Sequence, residues 1–169
     1  SGCCFIKKNW FLTAAHVVVY DGRLFELLTI GIIGGGTFTA EPIHIDELMD
    51  LAVLESTHEI SQRPLMPGHV SLVSGEGLAC VGLRASVGAV QVNLVKRETI
   101  REVGSLTGIQ EIEFESGFVE PGHSGGPLLG SGGAVVGIVT TIYPTATPPT
   151  ARAVNVAGIL SHLRMHQPR

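Results

Sequence analysis

Glu120-Pro121-Gly122-His123-Ser124-Gly125-Gly126-Pro127-Leu128 carries more information about fold and chemistry than any other stretch of this 169-residue chain. Glycines at 122, 125 and 126 surround one serine hydroxyl. They let the chain turn tightly and let a second backbone come close. A serine nucleophile has to project from such a turn, with backbone N–H groups aimed at the carbonyl oxygen it attacks. The amides of Gly122 and Ser124 are placed to form that oxyanion hole, where losing one donor costs about 2.7–4 kcal/mol of transition-state stabilisation. Taken alone, the stretch is read equally well as a glycine-rich hairpin turn. What separates the two readings lies upstream.

Trp10-Phe11-Leu12-Thr13-Ala14-Ala15-His16-Val17-Val18 is an apolar strand that ends in small residues and then presents a histidine. An imidazole titrates near neutral pH, so it can take a serine proton and return it to a leaving amine. A lone histidine here would read more readily as a buried structural residue. Met49-Asp50-Leu51-Ala52-Val53-Leu54 opens an apolar strand with an acid. A buried carboxylate is costly unless it is paired, and an imidazole N–H would pair it while fixing the ring tautomer. The alternative is a strand-capping aspartate facing solvent. Asp46 and Glu47 are rival acids in the polar loop just ahead.

Outward from these motifs the periodicity is mostly strand-like. Strands are expected at 3–7, 10–13, 24–33, 37–45 and 50–55, with one helical turn at 14–19 carrying His16. Residues 56–69, with Pro64, Pro67 and Gly68, read as a connector. A second set of strands is expected at 70–73, 78–83, 88–96, 109–115, 127–129, 134–142 and 152–156. Gln91, Asn93 and Lys96 interleave with Val90, Val92, Leu94 and Val95, which suits a sheet with one wet face. Glu111, Glu113 and Glu115 alternate with Ile112 and Phe114 in the same way. Only the tail, 157–166, has helical spacing, with Ile159, Leu160 and Leu163 on one side.

Composition agrees with many short strands and tight turns: 22 glycines, 9 prolines, 44% hydrophobic and only 15% charged residues. The net charge of -4 and the lack of any basic run argue against a nucleic-acid partner. Each apolar stretch is interrupted before the roughly 20 residues that a membrane helix needs, so no membrane partner is expected. Cys3, Cys4 and Cys80 are odd in number and read as reduced thiols, which favours a cytoplasmic protein over a secreted or periplasmic one; a Cys4–Cys80 bridge is the alternative. His162 and His166 have the i, i+4 spacing of a zinc pair. No third ligand accompanies them, so no metal site is expected.

In the order His…Asp…Ser, Thr-Ala-Ala-His, Asp-Leu-Ala-Val-Leu and Gly-His-Ser-Gly-Gly-Pro-Leu resemble the three signatures of trypsin-like serine proteases. Their short intervals are most similar to bacterial HtrA/Deg protease domains. The resemblance spans nearly the whole chain, including Gly137 to Ile142. It implies an all-β, chymotrypsin-like fold of two six-stranded-type antiparallel barrels with a C-terminal helix. Residues 1–62 would carry His16 and Asp50, and 63–169 would carry Ser124. It implies a Ser124–His16–Asp50 triad, an oxyanion hole from Gly122 and Ser124, and a polypeptide substrate paired against Thr140, Thr141 and Ile142. Phe118 falls at the base of the specificity pocket, with Ile142 and the segment around Arg152 as its walls. An apolar base favours an uncharged residue before the cut, whereas an inward Arg152 would favour an acidic one. No cofactor is implied.

One departure is His123, which stands where pancreatic enzymes place an aspartate that pairs with a newly cut N-terminus. Ser1-Gly2 does not resemble such an activated end. Control by ordering of the oxyanion loop is the expectation instead, and a regulatory domain or partner protein is expected besides the substrate. His123 is read as a solvated side chain, with tuning of the loop by its protonation as the alternative. The chain is expected to be a domain of a longer protein. The rival reading of function is a catalytically inactive trypsin-like fold acting as a peptide-binding scaffold.

Overall fold

The structure, a computed structural model, describes residues 1–68, 77–84, 86–95, 99–104, 109–115, 120, 122–143 and 145–165. The strand expected at 70–73 lies outside these residues, as do Lys96 and His166.

Two curled antiparallel sheets hold nearly all of the described strands. The first takes β1 (Gly2–Cys4), β2 (Trp10–Thr13), β5 (Leu28–Gly31), β6 (Thr37–Asp46) and β7 (Leu51–Ser56), in the order β1-β2-β7-β6-β5. A short helix, α1 (Ala15–Val18), follows β2 and leads into a small hairpin, β3 (Val19–Tyr20) with β4 (Arg23–Leu24). The second sheet has the order β10-β11-β14-β13-β12-β8-β9. Its strands are β8 (Ala79–Arg84), β9 (Ala89–Leu94), β10 (Arg101–Gly104), β11 (Gln110–Glu115), β12 (Pro127–Leu129), β13 (Val135–Tyr143) and β14 (Thr150–Asn155). Helix α2 (Val156–Met165) follows β14, one residue from its expected bounds. No described helix is long and apolar enough to cross a membrane.

The continuous apolar runs at 51–54 and 135–139 follow from burial on both faces of a strand. On β7, Leu51 and Val53 point into a core shared with Val135, Ile138, Val154 and α2, while Ala52 and Leu54 point into the interior of the first sheet with Phe11, Val18 and Ile60. On β13, Val135 and Ile138 face that shared core, and Val136 and Val139 face the interior of the second sheet with Phe114, Leu128 and Ala153. Ile159 and Leu163 of α2 are buried in the shared core, so the helix seals the contact between the sheets.

Three expectations need correction. The run at 24–33 is not one strand: it divides into β4 and β5, because 23–24 pair locally with 19–20 while 28–31 pair with β6. Strand β10 was not anticipated; it lies antiparallel to β11, with Arg101 opposite Glu113. On β9 the faces are inverted. Asn93 is buried, whereas Val90, Val92 and Leu94 are exposed. The reason is a polar partner beneath the sheet, His123, which Asn93 reaches with a hydrogen bond.

Candidate active site

His16 sits in α1, immediately after β2, and Asp50 immediately precedes β7. These strands are neighbours, with Thr13 opposite Ala52, so their ends lie side by side. Ala14, the residue that starts α1, makes no side-chain cap. Asp50 supplies the cap from across the sheet. Its carbonyl accepts the Ala15 N–H at 3.0 Å and its Oδ1 accepts the His16 N–H at 2.9 Å. Its Oδ2 lies 2.6 Å from His16 Nδ1. One residue therefore fixes both the backbone and the ring of His16. Asp50 has φ +54°, the left-handed region, which aspartate enters more readily than most residues. Asp46 is occupied otherwise, accepting the Met49 N–H at 2.8 Å. Glu47 lines a cavity of about 230 Å³ beside Ala15, His16, Val19 and Asp50.

The serine stretch folds as a turn between the sheets. His123 N–H donates to the Glu120 carbonyl at 3.3 Å, and Gly122 has φ +111°. A positive φ at this place in a turn closed by an i to i+3 bond favours glycine. Gly125, at φ +87°, admits no side chain: a Cβ would collide with the Ser1 carbonyl, the Thr13 hydroxyl and Ala14 N. The residue after Ser124 is thus packed against the backbone two positions before His16. Its N–H is held by the Val139 carbonyl at 2.6 Å, and the Val139 N–H returns a bond to the Gly126 carbonyl at 2.9 Å. Ser124 itself is half-buried.

Residue 1 ties these pieces together. The Ser1 hydroxyl donates to the Gly122 carbonyl and accepts the Leu83 N–H at 2.8 Å. Its carbonyl accepts the Thr13 hydroxyl at 2.6 Å, and its N donates to the Ser124 carbonyl at 3.1 Å. Nothing local in the sequence signals this role of Ser1, whose partner Gly122 lies 121 positions away.

Of the expected substrate-binding residues, Thr140, Thr141 and Ile142 lie together on β13, with Thr140 buried at a register shift between Val139 and Thr141. Bulges of this kind commonly re-aim a strand beside a site. Phe118 lies outside the described residues. Arg152, opposite Thr141, is ion-paired: its Nε donates to Glu113 Oε2 at 2.9 Å, and its guanidinium stands 5.9 Å from the Tyr143 ring centre. Glu113 also accepts two bonds from Arg101, at 3.0 and 2.6 Å. Burial works to raise the Glu113 carboxyl, but the hydrogen bonds from Arg101 and Arg152 outweigh it and hold the group below the usual carboxylate range. The three cysteines are free thiols. Burial pushes Cys3 and Cys80 up to about 12 and Cys4 to about 11, which leaves them poor nucleophiles. His123 is not solvated as expected; it is 1% exposed.

Comparison with known proteins gives one reading. The chain is 30% identical over 148 residues to Protease Do-like 1, chloroplastic, of Arabidopsis thaliana, covering 85% of this chain and 33% of that protein. It is 26% identical over 162 residues to the serine endoprotease DegS of Haemophilus influenzae, covering 93% and 45%. The chain thus spans less than half the length of these relatives. The solved structure of the HtrA-type protease AlgW with decapeptide superposes with a TM-score of 0.74 at 18% identity, over 99% of this chain and 51% of that one; this establishes the chymotrypsin-like fold. A family model described as trypsin-like peptidase domain matches residues 1–138. That match takes in the strand leading to His16, the Asp50 strand and the serine turn, and the chain belongs to the trypsin-like peptidase domain family.

Proposed function

We propose that this chain is the catalytic domain of a serine endopeptidase, with residues 1–62 and 63–169 as its two halves. Ser124 is the nucleophile, His16 the general base and Asp50 the residue that orients it. The observation that carries this reading is the 2.6 Å contact between Asp50 and His16 Nδ1, at a strand end against which the Ser124 turn is packed. With Nδ1 engaged, the ring offers Nε2 to the serine. Ser124 Oγ attacks the substrate carbonyl and passes its proton to His16 Nε2. The tetrahedral oxyanion is held by the Gly122 and Ser124 amides. His16 then protonates the leaving amine, and water, activated by the same ring, hydrolyses the acyl-enzyme. Edge contacts along Thr140, Thr141 and Ile142 would pair with the substrate backbone, which argues for peptides over small esters.

A fluorophosphonate probe tests the nucleophile. Wild type is expected to label once per chain, at Ser124, and Ser124→Ala not at all. Equal labelling of the two, or no labelling of correctly folded wild type, rejects the reading in favour of an inactive peptide-binding scaffold.

The Arg152 ion pairs bear on specificity. With Glu113 and Glu111 beside it, the guanidinium is largely compensated, and the pocket is proposed to take an uncharged residue before the cut. Glu113→Gln removes the nearer carboxylate. A partly exposed ion pair is worth up to about 1 kcal/mol. A peptide-library profile should therefore shift a few-fold toward cleavage after Asp and Glu. An unchanged profile would place Arg152 outside the specificity pocket.

A further inference from the structure

We propose that His123 and Asn93 form a buried positioning pair that fixes the oxyanion turn, so that the direction of the Gly122 amide is set from the β8–β9 hairpin. This rests on the acyl-transfer reading above.

His123 immediately precedes the nucleophile, yet its side chain points away from solvent and lies over β8. The fit is tight: a Cβ on Gly82 would stand 3.0 Å from both Cα and Cδ2 of His123. Both ring nitrogens are used. Nδ1 lies 3.1 Å from the Glu120 carbonyl oxygen, the same oxygen that accepts the His123 backbone N–H at 3.3 Å. A carbonyl has no proton to give, so Nδ1 is the donor. The lone pair of Nε2 then faces Asn93, whose Nδ2 donates across 3.2 Å. Asn93 is 7% exposed, so neither partner has water as a ready substitute.

The same hairpin grips the turn a second time. The Glu120 carboxylate accepts the Ser86 N–H at 3.1 Å, the Ser86 hydroxyl at 3.0 Å and Arg84 Nε at 3.3 Å. Desolvation would raise that carboxyl, but its bonds from Ser86 and Arg84 hold it below the usual range. The turn is therefore clamped at Glu120 by the hairpin tip and at His123 by Asn93. What lies between is the peptide leading into Gly122. Gly122, with its positive φ, stands between these two held points. Locking Glu120 and His123 restricts the backbone on both sides of Gly122, and with it the direction its amide can take. The residue before the nucleophile is thus held from within its own sheet, through a strand whose inverted polarity exists to present Asn93.

The test compares variants at both positions, measured well below their melting temperatures. Asn93→Leu leaves Nε2 buried and unsatisfied, and His123→Leu removes both bonds. Each should lower kcat about 10- to 100-fold, less than the 10²–10³ that follows outright loss of an oxyanion donor, with KM within about twofold. Binding of a peptide boronate, whose adduct carries the tetrahedral oxyanion, should weaken in parallel. His123→Gln offers one donor and one acceptor on adjacent atoms and should recover most of kcat. In ¹⁵N-histidine spectra the His123 ring of wild type should show the Nδ1–H form. A kcat within twofold of wild type in Asn93→Leu, a loss confined to KM or to melting temperature, or an Nε2–H ring in wild type overturns the proposal. If wild type itself fails to react with a fluorophosphonate, the protease reading falls, and the ring spectrum alone decides whether the clamp exists.

Discussion

Ser124→Ala and His16→Ala are each expected to lower kcat on a peptide substrate by about 10⁵- to 10⁶-fold, and the double variant to lower it no further. In the proposed mechanism nucleophile and base act as a unit: without the hydroxyl the imidazole has no proton to accept, and without the imidazole the hydroxyl stays a poor nucleophile. The residual rate, on the order of 10³–10⁴ above that in water, would come from the oxyanion hole and from substrate binding alone. Neither substitution should unfold the chain. The turn around Ser124 is held by backbone bonds, from Gly125 to Val139 and from Val139 to Gly126, and by Ser1, none of which uses the serine hydroxyl. The His16 ring is half-exposed, at 52%, so its removal leaves no buried cavity. KM should change little, since the reacting groups bind the transition state rather than the ground state. Steady-state kinetics with a fluorogenic peptide, combined with the pre-steady-state burst of acylation, measures all of this. A Ser124→Ala protein that retains a per cent of wild-type kcat, or a double variant whose loss is the product of the two singles, would show that these residues do not form one machine.

The parts of this site legible in the sequence are those encoded locally. The helical turn after β2, the acid at the head of an apolar strand and the glycines about Ser124 each declare themselves within a few residues. Strand β7 was legible because burial on both faces leaves an unbroken apolar run from Leu51 to Leu54. What local pattern could not give is partnership across the fold. Alternation on β9 fixes that Val90, Val92 and Leu94 share a face, but not which face is buried. The answer depends on His123, thirty positions later. The charge of Arg152 likewise cannot be weighed without Glu113, which lies on the neighbouring strand 39 residues earlier. The positive φ of Asp50 left no trace in composition, because aspartate is common in many other backbone states. The break in 24–33 was hidden for a related reason: both pieces are apolar and β-branched enough to pass as one strand, and only their separate partners divide them.

Asp50→Asn separates the two tasks that this residue performs. Asparagine keeps an oxygen at the place of Oδ1, so it can still accept the His16 N–H, and its carbonyl still accepts the Ala15 N–H. Asparagine also tolerates the left-handed backbone at this position. Helix α1 should therefore stay capped and the melting temperature stay close to that of wild type. The other half of the side chain changes sign. An NH₂ now faces Nδ1, where Oδ2 stood 2.6 Å away. Two donors cannot pair, so Nδ1 becomes the acceptor and the ring proton moves to Nε2, the atom that receives the Ser124 proton in the proposed mechanism. A loss of about 10⁴-fold in kcat near neutral pH follows from the wrong tautomer alone. Asp50→Ala should be as inactive but also less stable by about 1 kcal/mol, since it removes a cap. The pair of variants, compared by kcat and by thermal melting, distinguishes orientation from capping. Wild-type turnover in Asp50→Asn would mean that the short contact to His16 serves only to hold the helix, and that the base takes its tautomer from some other group.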